Sequence, residues 1–228
     1  MKKSIKKAPS LKEQVYNYLR EAIINDEFEM GKLYSDQWVA DQLGVSRTPV
    51  REAVQQLKHE GLLEVVPYKG FKVKTLSETE INEVFEVRDA IEGFCIKKLI
   101  KNQDTREAKE LLEKLEKIIA EQKKSYANNS RRDFWDTDRL FHSSIVSFSN
   151  NRILEDVYRS MGDKIKSIAL ETLRDETRLN TAFEEHVATL QYIKDGLINE
   201  AYEMNLRHLN NTKSLVMKAL QKNKNSNN

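Results

Sequence analysis

The sequence predicts a mainly α-helical chain in two parts: a winged helix-turn-helix of three helices with a small β-hairpin, then an all-α antiparallel bundle of six or seven helices. The first observation behind this is where the helix breakers fall. All three prolines, Pro9, Pro49 and Pro67, and four of the seven glycines, Gly31, Gly44, Gly61 and Gly70, precede residue 76. Both residue types disrupt helix interiors and suit turns and hairpins, so the first third is turn-rich and the remainder helical. The second is periodicity: Ile81, Val84, Phe85 and Ile91 recur at helical spacing, as do Leu111, Leu112, Leu115, Ile118 and Ile119. The third is size, since 228 residues with 39% hydrophobic side chains suit two modest domains, at roughly 150 residues per domain. The expected division is 1–76 and 77–228.

Within the first part, Val39, Leu43, Val45, Val50 and Ala53 are apolar, and small Ala40 stands four residues before Gly44. Alanine leaves room where two short helices cross, and glycine supplies the left-handed turn between them, which is a helix-turn-helix. Ser46 is the expected cap of the second helix, Pro49 lies in its first turn and Gly61 ends it. Arg47, Thr48 and Arg51 then stand at the exposed start of the helix that enters the major groove in such motifs. Arginine can grip guanine through two hydrogen bonds, so Arg47 and Arg51 are candidate base readers. Leu62 to Val66, the turn Pro67 to Gly70, and Phe71 to Lys74 read as a hairpin with Lys69, Lys72 and Lys74 placed to meet phosphate or the minor groove. Helix-turn-helix geometry also occurs in proteins that never touch DNA, and edge-strand lysines also prevent aggregation. The ordered succession of motif, capped basic helix and basic wing favours DNA.

Composition removes several other classes. A net charge of +2 carries no inference about a polyanionic partner, so that case rests on local placement. Cys95 is the single cysteine, which excludes an intramolecular disulfide framework and a zinc site built from several thiolates, and fits a reducing cytoplasm. No run reaches the ~18 apolar residues of a membrane span, and no signal-peptide core follows the basic start. A cytoplasmic chain with no membrane partner is expected. The lysine-rich start and the end from Gln221 to Asn228 read as a loose arm and a frayed tail.

The stretch Gly44-Val-Ser-Arg-Thr-Pro-Val-Arg-Glu-Ala53, continued by Leu57 and Glu60-Gly61-Leu62, resembles the GntR family of bacterial transcription regulators. The resemblance extends over the first part, including Gly70 at the wing tip. It implies that Ser46, Arg47, Thr48 and Arg51 contact operator DNA and that Gly70 lets the wing approach the minor groove. Two positions depart from the family pattern: Asp36 replaces the usual glutamate, and Gln37 an arginine that contacts DNA in some members.

The second part shows helix-start patterns at Ser77 to Glu80, Asp104 to Glu107 and Thr181 to Glu184. More informative are polar residues inside apolar stripes, because burying them unpaired costs several kcal/mol. Asp138 and His142 share a face with Phe134, Phe141, Ile145 and Phe148; His186 lies between Phe183 and Leu190; His208 follows Ala201 and Met204. One such histidine is ordinarily a hydrogen-bonded core residue. Three, with an aspartate one turn from the first, suggest shared satisfaction by a divalent cation such as zinc, nickel, manganese or cobalt, with coordination positions left open for an anion. The second part also resembles the FCD effector domain of the same family in its metal-binding form. Asp138, His142, His186 and His208 match that form's ligands, Asp138-Arg-Leu-Phe-His142 and Glu185-His186 match their surroundings, and Asn151 matches the asparagine that begins the next helix. Asn150 replaces the usual glycine before it, in a left-handed position that asparagine tolerates.

Arg88 sits on the stripe of Ile81, Val84, Phe85 and Ile91, and an inward guanidinium needs an anion. Either Glu92, one turn on, or the carboxylate of an effector can supply it. His59 reads as solvated and Cys95 as a small buried hydrophobe. Together these readings predict a homodimeric regulator that binds pseudo-palindromic double-stranded operator DNA and senses a small carboxylate through a metal-containing pocket. The rivals are a metallohydrolase with an appended DNA-binding domain, for which no separate general base is evident, and a direct sensor of the ion.

Overall fold

The computed structural model describes residues 9–24, 27–29, 31–74, 76–162, 164–165 and 176–226. The lysine-rich arm read at residues 1–8 lies outside them. The chain divides into two compact units, Met1–Thr75 and Leu76–Asn228.

The first unit contains α1 (Leu11–Ile24), α2 (Asp36–Leu43), α3 (Arg47–His59), β1 (Leu63–Val66) and β2 (Gly70–Val73). Ser35 caps α2 by accepting from the Trp38 amide, and Gly44 closes it in the left-handed conformation with φ 64°. Ser46 occupies the cap position of α3 with extended backbone but makes no side-chain cap bond. A cap hydroxyl reaches the amide two or three residues on, and the third residue here is Pro49, which has none. Leu19 of α1 and Val50, Ala53 and Leu57 of α3 are fully buried, each of the larger ones worth about 1.5 to 3 kcal/mol in burial. β1 and β2 pair antiparallel from Leu63↔Val73 to Val66↔Gly70. The wing is tied down by reciprocal 2.8 Å hydrogen bonds between the backbones of Tyr34 and Phe71. That contact explains Gly70: at φ 129° an added Cβ would stand 2.0 Å from the Tyr34 carbonyl oxygen. Lys72, partly exposed, has its ammonium 3.2 Å from Glu64, the residue opposite it in the ladder.

The second unit contains α4 (Glu78–Lys101), α5 (Arg106–Ala127), α6 (Arg131–Phe148), α7 (Arg152–Ser160), α8 (Glu176–Lys194) and α9 (Ile198–Ser226). Ser77 and Glu80 form the reciprocal capping box read from the sequence. The start of α5 lies one residue later than expected: Thr105, not Asp104, caps it through the Ala108 amide. Thr181 to Glu184 is no start at all, because α8 is already helical from Glu176 and neither proline nor glycine interrupts it before Thr181. The expected tail is likewise helical as far as Ser226, in a stretch that also lacks both breakers. Asn150 adopts φ 48°, and the Asn151 side chain caps α7 by accepting from the Ile153 and Leu154 amides.

Helix α4 packs on α6 and α9, α5 on α6 and α8, and α8 on α9. Cys95, Ile96 and Leu99 of α4, Leu115 of α5, Phe141 and Ile145 of α6, and Ile193 of α8 form one apolar cluster. Burial pushes the Cys95 thiol up to about 11, which suits an inert core residue. No described helix is long and apolar enough to cross a membrane.

Candidate metal centre and nucleic-acid interface

Three helices bring the four expected ligands together. α6 carries Asp138 and His142 one turn apart, α8 carries His186 and α9 carries His208; one ligand atom from each lies within 4.8 Å of all the others. The histidines are buried, and Asp138 keeps 22% of its side chain exposed. His186 Nε2 is 3.2 Å from His142 Nε2 and 3.5 Å from Asp138 Oδ1, with His142 Nε2 4.0 Å from the same oxygen. Donors bonded at about 2.1 Å to one ion stand roughly 3 to 4 Å apart, so the separations fit a shared cation. Burial, reinforced by the neighbouring His142 and Arg178, holds His186 well below the ordinary imidazole range. Burial, with His186 and Arg178 beside it, does the same to His208. Neutral rings keep a lone pair, and imidazole nitrogens with one carboxylate suit zinc, nickel, manganese or cobalt.

Around this set runs a second ring of polar groups, of which the sequence pointed to Glu92 only as a partner of Arg88, to Glu185 only as a neighbour of His186, and to Gln122 not at all. His186 Nδ1 is 2.9 Å from Gln122 Oε1, and His208 Nδ1 is 2.9 Å from Glu185 Oε2. His142 Nδ1 lies 2.9 Å from Glu92 Oε2, outside hydrogen-bonding angles. Glu185 also accepts from Arg178 at 2.6 Å and from Asn211 at 2.6 Å. Glu92 accepts from Tyr158 at 3.0 Å and from Asn205 at 3.3 Å. Although burial opposes its charge, Arg88 and His142 hold the Glu92 carboxyl well below the usual carboxylate range.

Arg88 has the nearer of its two expected partners: its Nε donates to Glu92 Oε1 at 2.7 Å, with both side chains buried. The same arginine lines a cavity of about 230 Å³ with Asp138, His142, Ser143 and Tyr158. Two of the four candidate ligands therefore open onto a space bordered by a buried guanidinium.

In the first unit, Ser46, Arg47, Thr48, Arg51 and Lys69 are exposed and Gly70 is half-buried. Arg47, Arg51, Lys69 and Gly70 line one groove of about 170 Å³ between α3 and the wing; Ser46 and Thr48 are not among its lining residues. Arg51 Nε is 3.5 Å from Asp36 Oδ2, with 69% of the arginine side chain exposed. Asp36 thus steadies an arginine that still faces solvent.

Residues 11–73 match the bacterial regulatory protein gntR family, and residues 83–211 match the FCD domain family. The chain belongs to the GntR family. This GntR-family chain is a DNA-binding transcriptional regulator with an FCD domain, and the families and relatives it matches are regulators, not enzymes. It is 28% identical over 198 residues to the uncharacterized HTH-type regulator YdhC of Bacillus subtilis, covering 86% of this chain and 87% of YdhC. It is also 28% identical over 172 residues to the gluconate operon transcriptional repressor of the same organism, covering 75% and 68%. Among solved structures, the Zn2+-bound FCD domain of the regulator TM0439 superposes with a TM-score of 0.52 at 24% identity, over 64% of this chain and 98% of that one, which shows a shared fold.

Proposed function

We propose that this GntR-family regulator holds a divalent cation through Asp138, His142, His186 and His208 and uses it, with Arg88, to sense a small carboxylate. One observation carries the reading: four ligand atoms from three helices converge within 4.8 Å beside a cavity lined by Asp138, His142 and Arg88. The ion would supply electrostatic attraction for an anion, and the TM0439 domain, described as Zn2+-bound, shares the fold. The chain's own contribution is to keep two imidazoles neutral and to place the Asp138 carboxylate and Arg88 on the lining of one cavity.

Residues 1–76 serve as the reader and 77–228 as the sensor and dimerisation domain. Arg47 and Arg51 contact base edges, Ser46, Thr48 and Lys69 contact phosphate, and Gly70 lets the wing approach the minor groove. Ser46 suits such a contact because its hydroxyl is not engaged in capping α3. Two readers in a homodimer address half-sites about one helical turn, ~34 Å, apart. A carboxylate changes operator affinity only by binding one arrangement of the dimer better than another.

The test uses the full chain and a duplex selected by that chain from a randomised library. Fluorescence anisotropy is followed with metal-free and Zn2+-loaded protein across a panel of acetate, lactate, citrate and gluconate. At least one carboxylate should shift operator affinity of the loaded protein and leave the metal-free protein unaffected. Affinity that follows Zn2+ alone would instead favour a direct ion sensor, and affinity indifferent to both would contradict the proposal.

A further inference from the structure

His208 is the one candidate ligand whose inner-facing nitrogen depends on a competition between two charged neighbours. Its Nδ1 stands 2.9 Å from Glu185 Oε2 and 3.0 Å from Arg178 Nη2. A neutral imidazole carries one N–H, and the partner of one ring nitrogen fixes the role of the other. If Nδ1 donates to Glu185, Nε2 keeps its lone pair for a cation. If Nδ1 instead accepts from Arg178, the proton moves to Nε2 and the ring can no longer act as a ligand through that atom.

The surroundings favour the first arrangement. Arg178 Nη2 has two other acceptors, Thr212 Oγ1 at 2.7 Å and the His208 carbonyl at 3.2 Å, while Nη1 donates to Glu185 at 2.6 Å. Its nearness to Nδ1 follows from gripping the backbone of the same residue. Glu185 is held by Arg178 on one oxygen and by Asn211 on the other, so its Oε2 is fixed in place as an acceptor. A hydrogen bond to a carboxylate is also stronger than one to a neutral nitrogen. Neither of the other two histidines has this device: His186 Nδ1 meets the neutral amide of Gln122, and His142 Nδ1 meets Glu92 outside hydrogen-bonding angles.

We infer that Glu185 and Arg178 are positioning residues that select the Nδ1–H tautomer of His208 and so aim its Nε2 at the shared centre. This rests on the reading that the four inner side chains hold a cation. Partners of this kind commonly change metal affinity 10- to 100-fold when altered.

The experiment compares wild-type chain with Glu185→Gln in two measurements. In metal-free protein, nitrogen-15 NMR of the histidine rings should show His208 as the Nδ1–H tautomer in wild type; an Nε2–H ring there overturns the inference without any variant. In a titration with Zn2+ against a chelating dye, Glu185→Gln should bind roughly 10- to 100-fold more weakly, and Glu185→Asp should recover part of the loss. Undiminished Zn2+ affinity in Glu185→Gln overturns the positioning role alone. Wild-type protein that takes up no Zn2+ overturns the metal reading, and this inference with it.

Discussion

The two units place their candidate chemistry in opposite environments. In the first, Arg47 and Arg51 of α3 and Lys69 of the wing turn are exposed, while Val50, Ala53 and Leu57 of α3 are fully buried. In the second, His142, His186 and His208 take positions inside the core, each with its Nδ1 2.9 Å from an oxygen of Glu92, Gln122 and Glu185 respectively. An exposed reader can change without disturbing the fold beneath it, whereas a buried site is part of the fold and its occupancy is felt as stability. The contrast is open to attack at four points.

The largest effect belongs to the buried centre. His142→Ala should abolish stoichiometric metal, measured by elemental analysis, and remove the stability that the ion confers on the folded state, about 4 kcal/mol where the ion is present at 1,000 times its Kd. Metal content equal to the parent's would remove His142 from the ligand set.

Next comes pH. His186 and His208 are held below the ordinary imidazole range by burial. Below about pH 6.5 the unfolded chain therefore binds protons that the folded chain does not, so stability falls as pH falls, by up to about 1.4 kcal/mol per histidine per pH unit. Above pH 7 the contribution is flat. Urea midpoints of metal-free protein at pH 5.5 and 7.5 should differ in that sense, and a higher midpoint at the lower pH would contradict the buried neutral rings.

The exposed reader should behave in the opposite manner. Arg47→Ala or Arg51→Ala is expected to weaken binding to the selected operator by about 1 to 3 kcal/mol, with thermal stability changed by less than about 0.5 kcal/mol. Unchanged preference for that operator over random duplex would remove the base-reading role. The smallest effect is expected at Lys72, whose partner Glu64 lies across the hairpin. Lys72→Ala should alter stability by less than about 1 kcal/mol and leave operator binding nearly intact; a large loss of affinity would show that Lys72 contacts DNA despite its ion pair.

What could be read from the sequence follows the same division. The helix-turn-helix was legible because its constraints are local: Ala40, Gly44 and the apolar positions around them meet within one motif. The four inner ligands were legible because each is polar on an apolar stripe. Their pairing with outer partners was not legible, because the contacts join distant positions: Glu92 with His142, Gln122 with His186, Glu185 with His208. A signal existed for Glu92, which continues the stripe of Ile81, Val84, Phe85 and Arg88 and is nearly inaccessible. As a residue one turn from an arginine it also fitted an ordinary local ion pair. Helix starts misled where a matching pattern lay inside a longer helix, as at Thr181, or one residue from the true cap, as at Thr105.

The most direct test is anomalous X-ray scattering from crystals of the Zn2+-loaded chain, collected on both sides of the zinc absorption edge. One strong peak within bonding distance of Asp138, His142, His186 and His208 is the expected result. A loaded crystal with its zinc elsewhere, or with those four side chains bonded only to one another, would contradict the account.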